Sequence, residues 1–166
     1  MRLTNTLRVT IVAIVAIVAL CLTALATPAN AQYPDTLAAP DLVLIGVTSA
    51  ATAALAGERV AVGADVLNVG TAPAVASRLK YYFSADATFD AGDKYLNYDK
   101  VSALSPGQSS AEVANVRIPY GTVDGAWFVL LVADDWSEVA EADETNNVAA
   151  LAITVGELLP PTPAMP

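Results

Sequence analysis

The stretch from Trp127 to Val155 leaves this chain few choices of fold. Trp127 to Val132 is an unbroken apolar run, rich in aromatic and β-branched residues, bounded by Asp124-Gly125 and by Asp134-Asp135. A run of that length between turn signals predicts a strand buried on both faces rather than a helix. In Ala149 to Val155, the residues Leu151, Ile153 and Val155 stand two apart, so a second strand carries them on one face. The connection holds Asp134, Asp135, Glu138, Glu141, Asp143 and Glu144 with no basic residue among them, which predicts a solvated crossing of the surface; the alternative is a metal site or acidic partner patch using Asp134, Glu141, Asp143 and Glu144. Asn146 and Asn147 then suit a turn, through left-handed geometry or side-chain bonds to nearby backbone. The stretch is expected to be the last hairpin of an all-β domain.

Earlier segments follow the same logic. Asp41 to Val47 predicts a first strand, and the alanine-rich Ser49 to Ala56 a loop or frayed strand. Val60, Val62, Ala64 and Val66 alternate with Arg59, Ala61, Gly63 and Asp65, valines inward and charges outward. Leu79, Tyr81 and Phe83 alternate in the same way with the outward Arg78 and Lys80. Tyr95 to Val101 reads as one or two short strands, and Leu104-Ser105-Pro106-Gly107-Gln108 as a turn. Ser109 to Ile118 places Ala114, Val116 and Ile118 on one face before Pro119 stops it. Short strands separated by regular turn signals point to a β-sandwich.

The chain opens with Met1-Arg2 and Arg8, an apolar segment from Val9 to Ala26, and Ala29-Asn30-Ala31. A basic start, an apolar middle and a small-residue exit describe a secretory signal peptide over residues 1–31, with an uncleaved membrane anchor as the rival. A lipoprotein at Cys21 is not expected, because Leu20 precedes it where a small residue belongs. Residues 32–40 read as a proline-punctuated linker, 41–156 as the domain and 157–166 as a proline-rich tail. Cleavage would remove the only cysteine, so packing, with or without bound ions, must hold the domain. It would also remove two arginines and no acid from a chain already at −9, a balance that disfavours nucleic acid and anionic membrane. Histidine is absent, which closes Ser-His-Asp and Cys-His nucleophile systems and the usual zinc sites.

The order of these pieces resembles the CARDB module, the "cell adhesion related domain found in bacteria". The resemblance is carried by Pro40-Asp41-Leu42-Val43, by Gly57-Glu58-Arg59-Val60 and by Val66-Leu67-Asn68-Val69-Gly70-Thr71. It continues in Tyr82-Phe83-Ser84-Ala85-Asp86, Asp90-Ala91-Gly92-Asp93, Leu104-Ser105-Pro106-Gly107 and Glu141-Ala142-Asp143-Glu144-Thr145-Asn146-Asn147-Val148. It implies an immunoglobulin-like antiparallel β-sandwich of about seven strands, preceded here by a signal-peptide helix, in a secreted or cell-surface setting. It brings no catalytic residues. The expected function is a non-catalytic module for binding, adhesion or spacing, with an extracellular protein or glycan as partner. The alternative is a calcium-dependent adhesion or carbohydrate-binding module.

Asp86, Thr88, Asp90 and Gly92 fall at positions 1, 3, 5 and 7 of an EF-hand-like spacing, with Asp93 as a substitute ligand for calcium. The match breaks at Ala91, where glycine belongs, and at Asn97, where glutamate belongs; the competing reading is a polar turn bonding its own backbone. Trp136, amid acids, is either an exposed recognition residue or an aromatic folded back over the sandwich end. Tyr81, Tyr82, Tyr95 and Tyr98 are either a carbohydrate-stacking strip or ordinary strand residues. A glycosidase would need a distinctive carboxylate pair in a cleft, and none presents itself. No enzyme is expected.

Overall fold

Alternation accounts for most of the backbone in the computed structural model, which describes residues 38–156. The strands are β1 (Leu42–Ser49), β2 (Ala53–Ala54), β3 (Arg59–Asn68), β4 (Ser77–Ser84), β5 (Lys94–Val101), β6 (Ser109–Arg117), β7 (Gly125–Ala133) and β8 (Val148–Val155). They form a three-stranded sheet in the order β1-β3-β6 and a five-stranded sheet in the order β2-β8-β7-β4-β5. The domain is an all-β sandwich. It has eight strands rather than seven, because the alanine-rich segment contributes β2. That strand lies parallel to β8 at Ala53–Thr154 and Ala54–Val155, where the small Ala54 side chain is buried against the core. The expected signal peptide, most of the linker and the proline-rich tail lie outside the described residues.

The core forms where the two inner faces meet. Val60, Val62 and Val66 of β3 with Ala114 and Val116 of β6 face Leu79, Tyr81 and Phe83 of β4, Val129 and Leu131 of β7, and Ile153 and Val155 of β8. Each such aliphatic side chain contributes about 1.5–3 kcal/mol when fully buried, set against the entropy of ordering the chain. Phe83 stacks on Trp127 with ring centroids 4.9 Å apart. β7 is covered on both sides, since the consecutive Leu130 and Leu131 point to opposite faces and both are wholly buried.

One buried polar residue sets the corner after β3. Asn68 accepts from Asp41 N at 3.2 Å and Gly70 N at 3.0 Å, and donates to the carbonyls of Ala72 at 2.9 Å and Leu104 at 3.0 Å. Its amide is therefore fully satisfied, as burial demands. Gly70 has no room for a side chain there: a Cβ would overlap the backbone of Ala39 to Asp41.

Candidate functional site

The outer face of the five-stranded sheet carries a groove of about 400 Å³ lined by Arg78, Lys80, Tyr82, Tyr95, Tyr98 and Trp136. In a regular strand Tyr95 and Tyr98, three apart, would point to opposite faces. They share one here because the register slips: Tyr81 pairs with Asn97 but Tyr82 pairs with Tyr95, leaving Leu96 as the extra residue of a β-bulge. Tyr82 and Tyr95 meet edge to face at 5.8 Å. Tyr81 does not belong to the groove; it is buried in the core and its hydroxyl donates to Asp99 at 2.9 Å.

The connection after β7 supplies the groove's wall. Trp136 lies over the outer sheet face rather than over the sandwich end, with Arg78 4.2 Å and Lys80 4.0 Å from its ring centroid. It remains 61% exposed. Both cations also hold acids from this connection: Lys80 pairs with Asp135, and Arg78 Nη1 donates to Glu138 Oε1 at 2.6 Å. Lys80 thus faces outward as alternation predicts but is only 5% exposed, because Trp136 and Asp135 cover it. The Tyr82 hydroxyl donates to Asp135 at 2.8 Å, and burial, then that carboxylate, keeps it protonated far above the usual tyrosine range. Desolvation, then neighbouring Tyr98, also raises Tyr95.

The six carboxylates of this connection are not all solvated. Asp134 is 4% exposed and accepts from Glu138 N at 3.0 Å and Val139 N at 2.8 Å. Burial raises its pKa, while those two backbone donors pull the other way. Asp134 has φ +47° and Ser137 φ +51°, the non-glycine left-handed residues among those described. They bracket Trp136 and turn it back onto β4. Asn146 and Asn147, expected to turn the chain through left-handed geometry or side-chain bonds to nearby backbone, instead bond other side chains: Asn146 Nδ2 to Asp41 Oδ1 at 2.9 Å and Asn147 Nδ2 to Glu141 Oε1 at 2.9 Å. Glu141 also accepts the backbone N–H of Leu42 in the opposite sheet. Burial pushes its carboxyl up to about 7.

The Asp86 loop is arranged differently. Asp86 Oδ1 accepts from Thr88 N at 2.8 Å, Asp90 Oδ1 from Gly92 N at 2.6 Å, and Asp93 Oδ2 from Asp90 N at 2.9 Å. Each carboxylate bonds backbone two or three residues away. Among the described residues no group of three or more Asp, Glu, His or Cys side chains is placed to hold a metal ion.

The CARDB family model matches residues 39–151. The chain belongs to the CARDB family. CARDB is a bacterial, cell-adhesion-related and non-catalytic domain family. A solved CARDB domain from Pyrococcus furiosus, in complex with di-metal ions, is 19% identical with a TM-score of 0.54, covering 71% of this chain and 90% of that one. A solution structure of that domain is 18% identical with a TM-score of 0.55, covering 72% and 97%. β-Glucosidase 3B from Thermotoga neapolitana, in complex with α-D-glucose, is 17% identical with a TM-score of 0.50; the match covers 71% of this CARDB chain but 16% of the enzyme. At these identities the likeness is one of fold alone. No curated protein sequence matches.

Proposed function

We propose that this CARDB domain is a non-catalytic binding module of a secreted or surface-displayed protein, and that the groove over β4 and β5 is its ligand site. The observation that carries this reading is Trp136, a large aromatic 61% exposed yet fixed in place by two cations and a strained turn. A merely solvated loop has no need to hold an indole at a defined height above a sheet. Exposed, preorganised aromatics lose little entropy on binding, which is why Trp and Tyr dominate recognition surfaces. The groove's size lies in the range of small-ligand sites. The family's non-catalytic character and the absence of histidine support binding without turnover.

A broad glycan array tests it. The wild-type protein is expected to bind a subset of glycans, and Trp136→Ala to lose those signals while unfolding at nearly the same midpoint. An array without signal, or signals that survive the substitution, would leave a spacer module instead.

A further inference from the structure

Resting on that reading of the groove, we infer that its ligand is an acidic saccharide, a chain of carboxylate-bearing pyranose rings, and that Arg78 takes the sugar carboxylate in place of Glu138. The protein carries a net charge of −9, yet every side chain lining the groove is aromatic or cationic. Lys100 stands opposite Arg78 in the β4–β5 register and adds a third cation to the same strand pair. Arg78 and the hydroxyls of Tyr95 and Tyr98 can donate hydrogen bonds into the groove, and a carboxylate is an acceptor with about four lone-pair sites.

The two ion pairs beside the groove divide the work. The side chains of Lys80 and Asp135 are 6% and 14% exposed and are joined by the Tyr82 hydroxyl, so this pair fixes the wall. Those of Arg78 and Glu138 are 28% and 32% exposed. A pair so open to water contributes little to stability and exchanges partners readily. Glu138 already shows where a carboxylate docks on Arg78. The Arg78 guanidinium lies 4.2 Å from the Trp136 ring centroid, and its fork of N–H donors suits a planar anion such as a carboxylate. The apolar C–H face of a pyranose can then lie on the exposed rings of Trp136 or Tyr95.

Calorimetry with the full chain tests this, using oligogalacturonate and oligomannuronate beside their carboxyl-reduced, neutral counterparts. The acidic forms are expected to bind about tenfold tighter or more, the worth of a charge-assisted bond. Arg78→Gln should erase that preference without moving the unfolding midpoint. Glu138→Ala should strengthen acidic binding about threefold by removing the internal competitor. That gain is one that damage to the fold cannot imitate. Equal binding of acidic and neutral forms, both lost in Trp136→Ala, would overturn the acidic ligand and leave the groove as the site. Acidic binding indifferent to Arg78→Gln would overturn the role of Arg78. No binding of any acidic form would also overturn the inference, and the glycan array then decides the groove by itself.

Discussion

Two loops of this domain look alike in composition and behave differently. Between β4 and β5, Asp86, Asp90 and Asp93 bond backbone two or three residues away. Between β7 and β8, Asp134 folds its own turn, Asp135 and Glu138 reach back to Lys80 and Arg78 on β4, and Glu141 and Asn146 reach β1 and its approach in the other sheet. The backbone joins in, with Ala142 N donating to Pro40 O at 2.8 Å. Charge density therefore does not tell a solvated loop from a structural one. What separates them is whether burial leaves a carboxylate facing donors from elsewhere in the chain.

Asp134→Ala and Asp90→Ala should separate the two loops most widely. The first removes the acceptor of two backbone N–H groups, one of them buried, and puts alanine at φ +47°. Urea unfolding is expected to show a loss of about 3 kcal/mol, from unsatisfied donors and left-handed strain together. Asp134→Asn, which tolerates that φ and keeps one acceptor, should recover about half of it. Equal losses in the Asp134→Ala and Asp90→Ala proteins would dissolve the distinction.

Next in size is Glu141, whose carboxyl is raised from 4.5 to about 7, chiefly by burial, with Glu144 and Asp134 adding like-charge repulsion. Because the folded state holds this proton more tightly, the contribution to stability is complete below the unfolded value near 4.5. It is lost as pH rises through about 7. Asp143 runs in the opposite direction, its pKa lowered by Thr145, but both of its states are ionised above pH 5. Discounted for partial exposure, the domain should be about 1–2 kcal/mol more stable at pH 5 than at pH 8. Glu141→Gln should reduce that dependence, leaving the part contributed by Asp134, whose carboxyl burial also raises. A slope unchanged in the variant would assign the titration to another group.

Most of the fold was legible, and the reasons are local. The six-residue apolar run at Trp127 and the period of two at Val60 and Leu79 each specify a strand and the face it buries. The site was legible only in pieces. The Tyr82–Tyr95–Tyr98 cluster depends on the bulge at Leu96, which no alternation rule signals. Arg78 and Lys80 read as ordinary outward charges, and Trp136 as a lone aromatic, because the β4–β7 pairing that brings Lys80 opposite Val132 spans some fifty residues. One usable signal was present: cations two apart on one strand, and acids at Asp135 and Glu138 just past the end of another. Pairing of those two strands brings the cations and the acids together in the two salt bridges. The roles of Asp134 and Glu141 were hidden for the opposite reason, since a run of acids averages out the individual carboxylate that becomes buried.

Asn146→Ala gives a smaller test. It removes the bond to Asp41 Oδ1, which lies at the surface end of the link between sheets. One partly exposed, charge-assisted bond predicts a loss of about 1 kcal/mol by thermal unfolding, below Asp134→Ala and above any carboxylate of the Asp86 loop. A loss as large as that of Asp134→Ala would mean that the link to β1, rather than the turn around Trp136, is what the β7–β8 connection chiefly stabilises.

The smallest effect belongs to the Asp86 loop itself. Asp90→Ala removes a bond to Gly92 N in a turn exposed to water, which replaces it, so the expected loss is about 0.5 kcal/mol or less. The same geometry bears on calcium. Each carboxylate there accepts one backbone N–H and keeps other lone pairs, but for an ion to bind, Asp86, Asp90 and Asp93 would have to converge with Thr88. A ligand that binds only the folded state raises stability in proportion to the logarithm of its excess over Kd. The unfolding midpoint is expected to be the same in millimolar calcium and in chelator. A rise of several degrees that Asp86→Ala and Asp90→Ala abolish would show that the loop reorganises around the ion, and its local bonds would then be the resting state of a metal site.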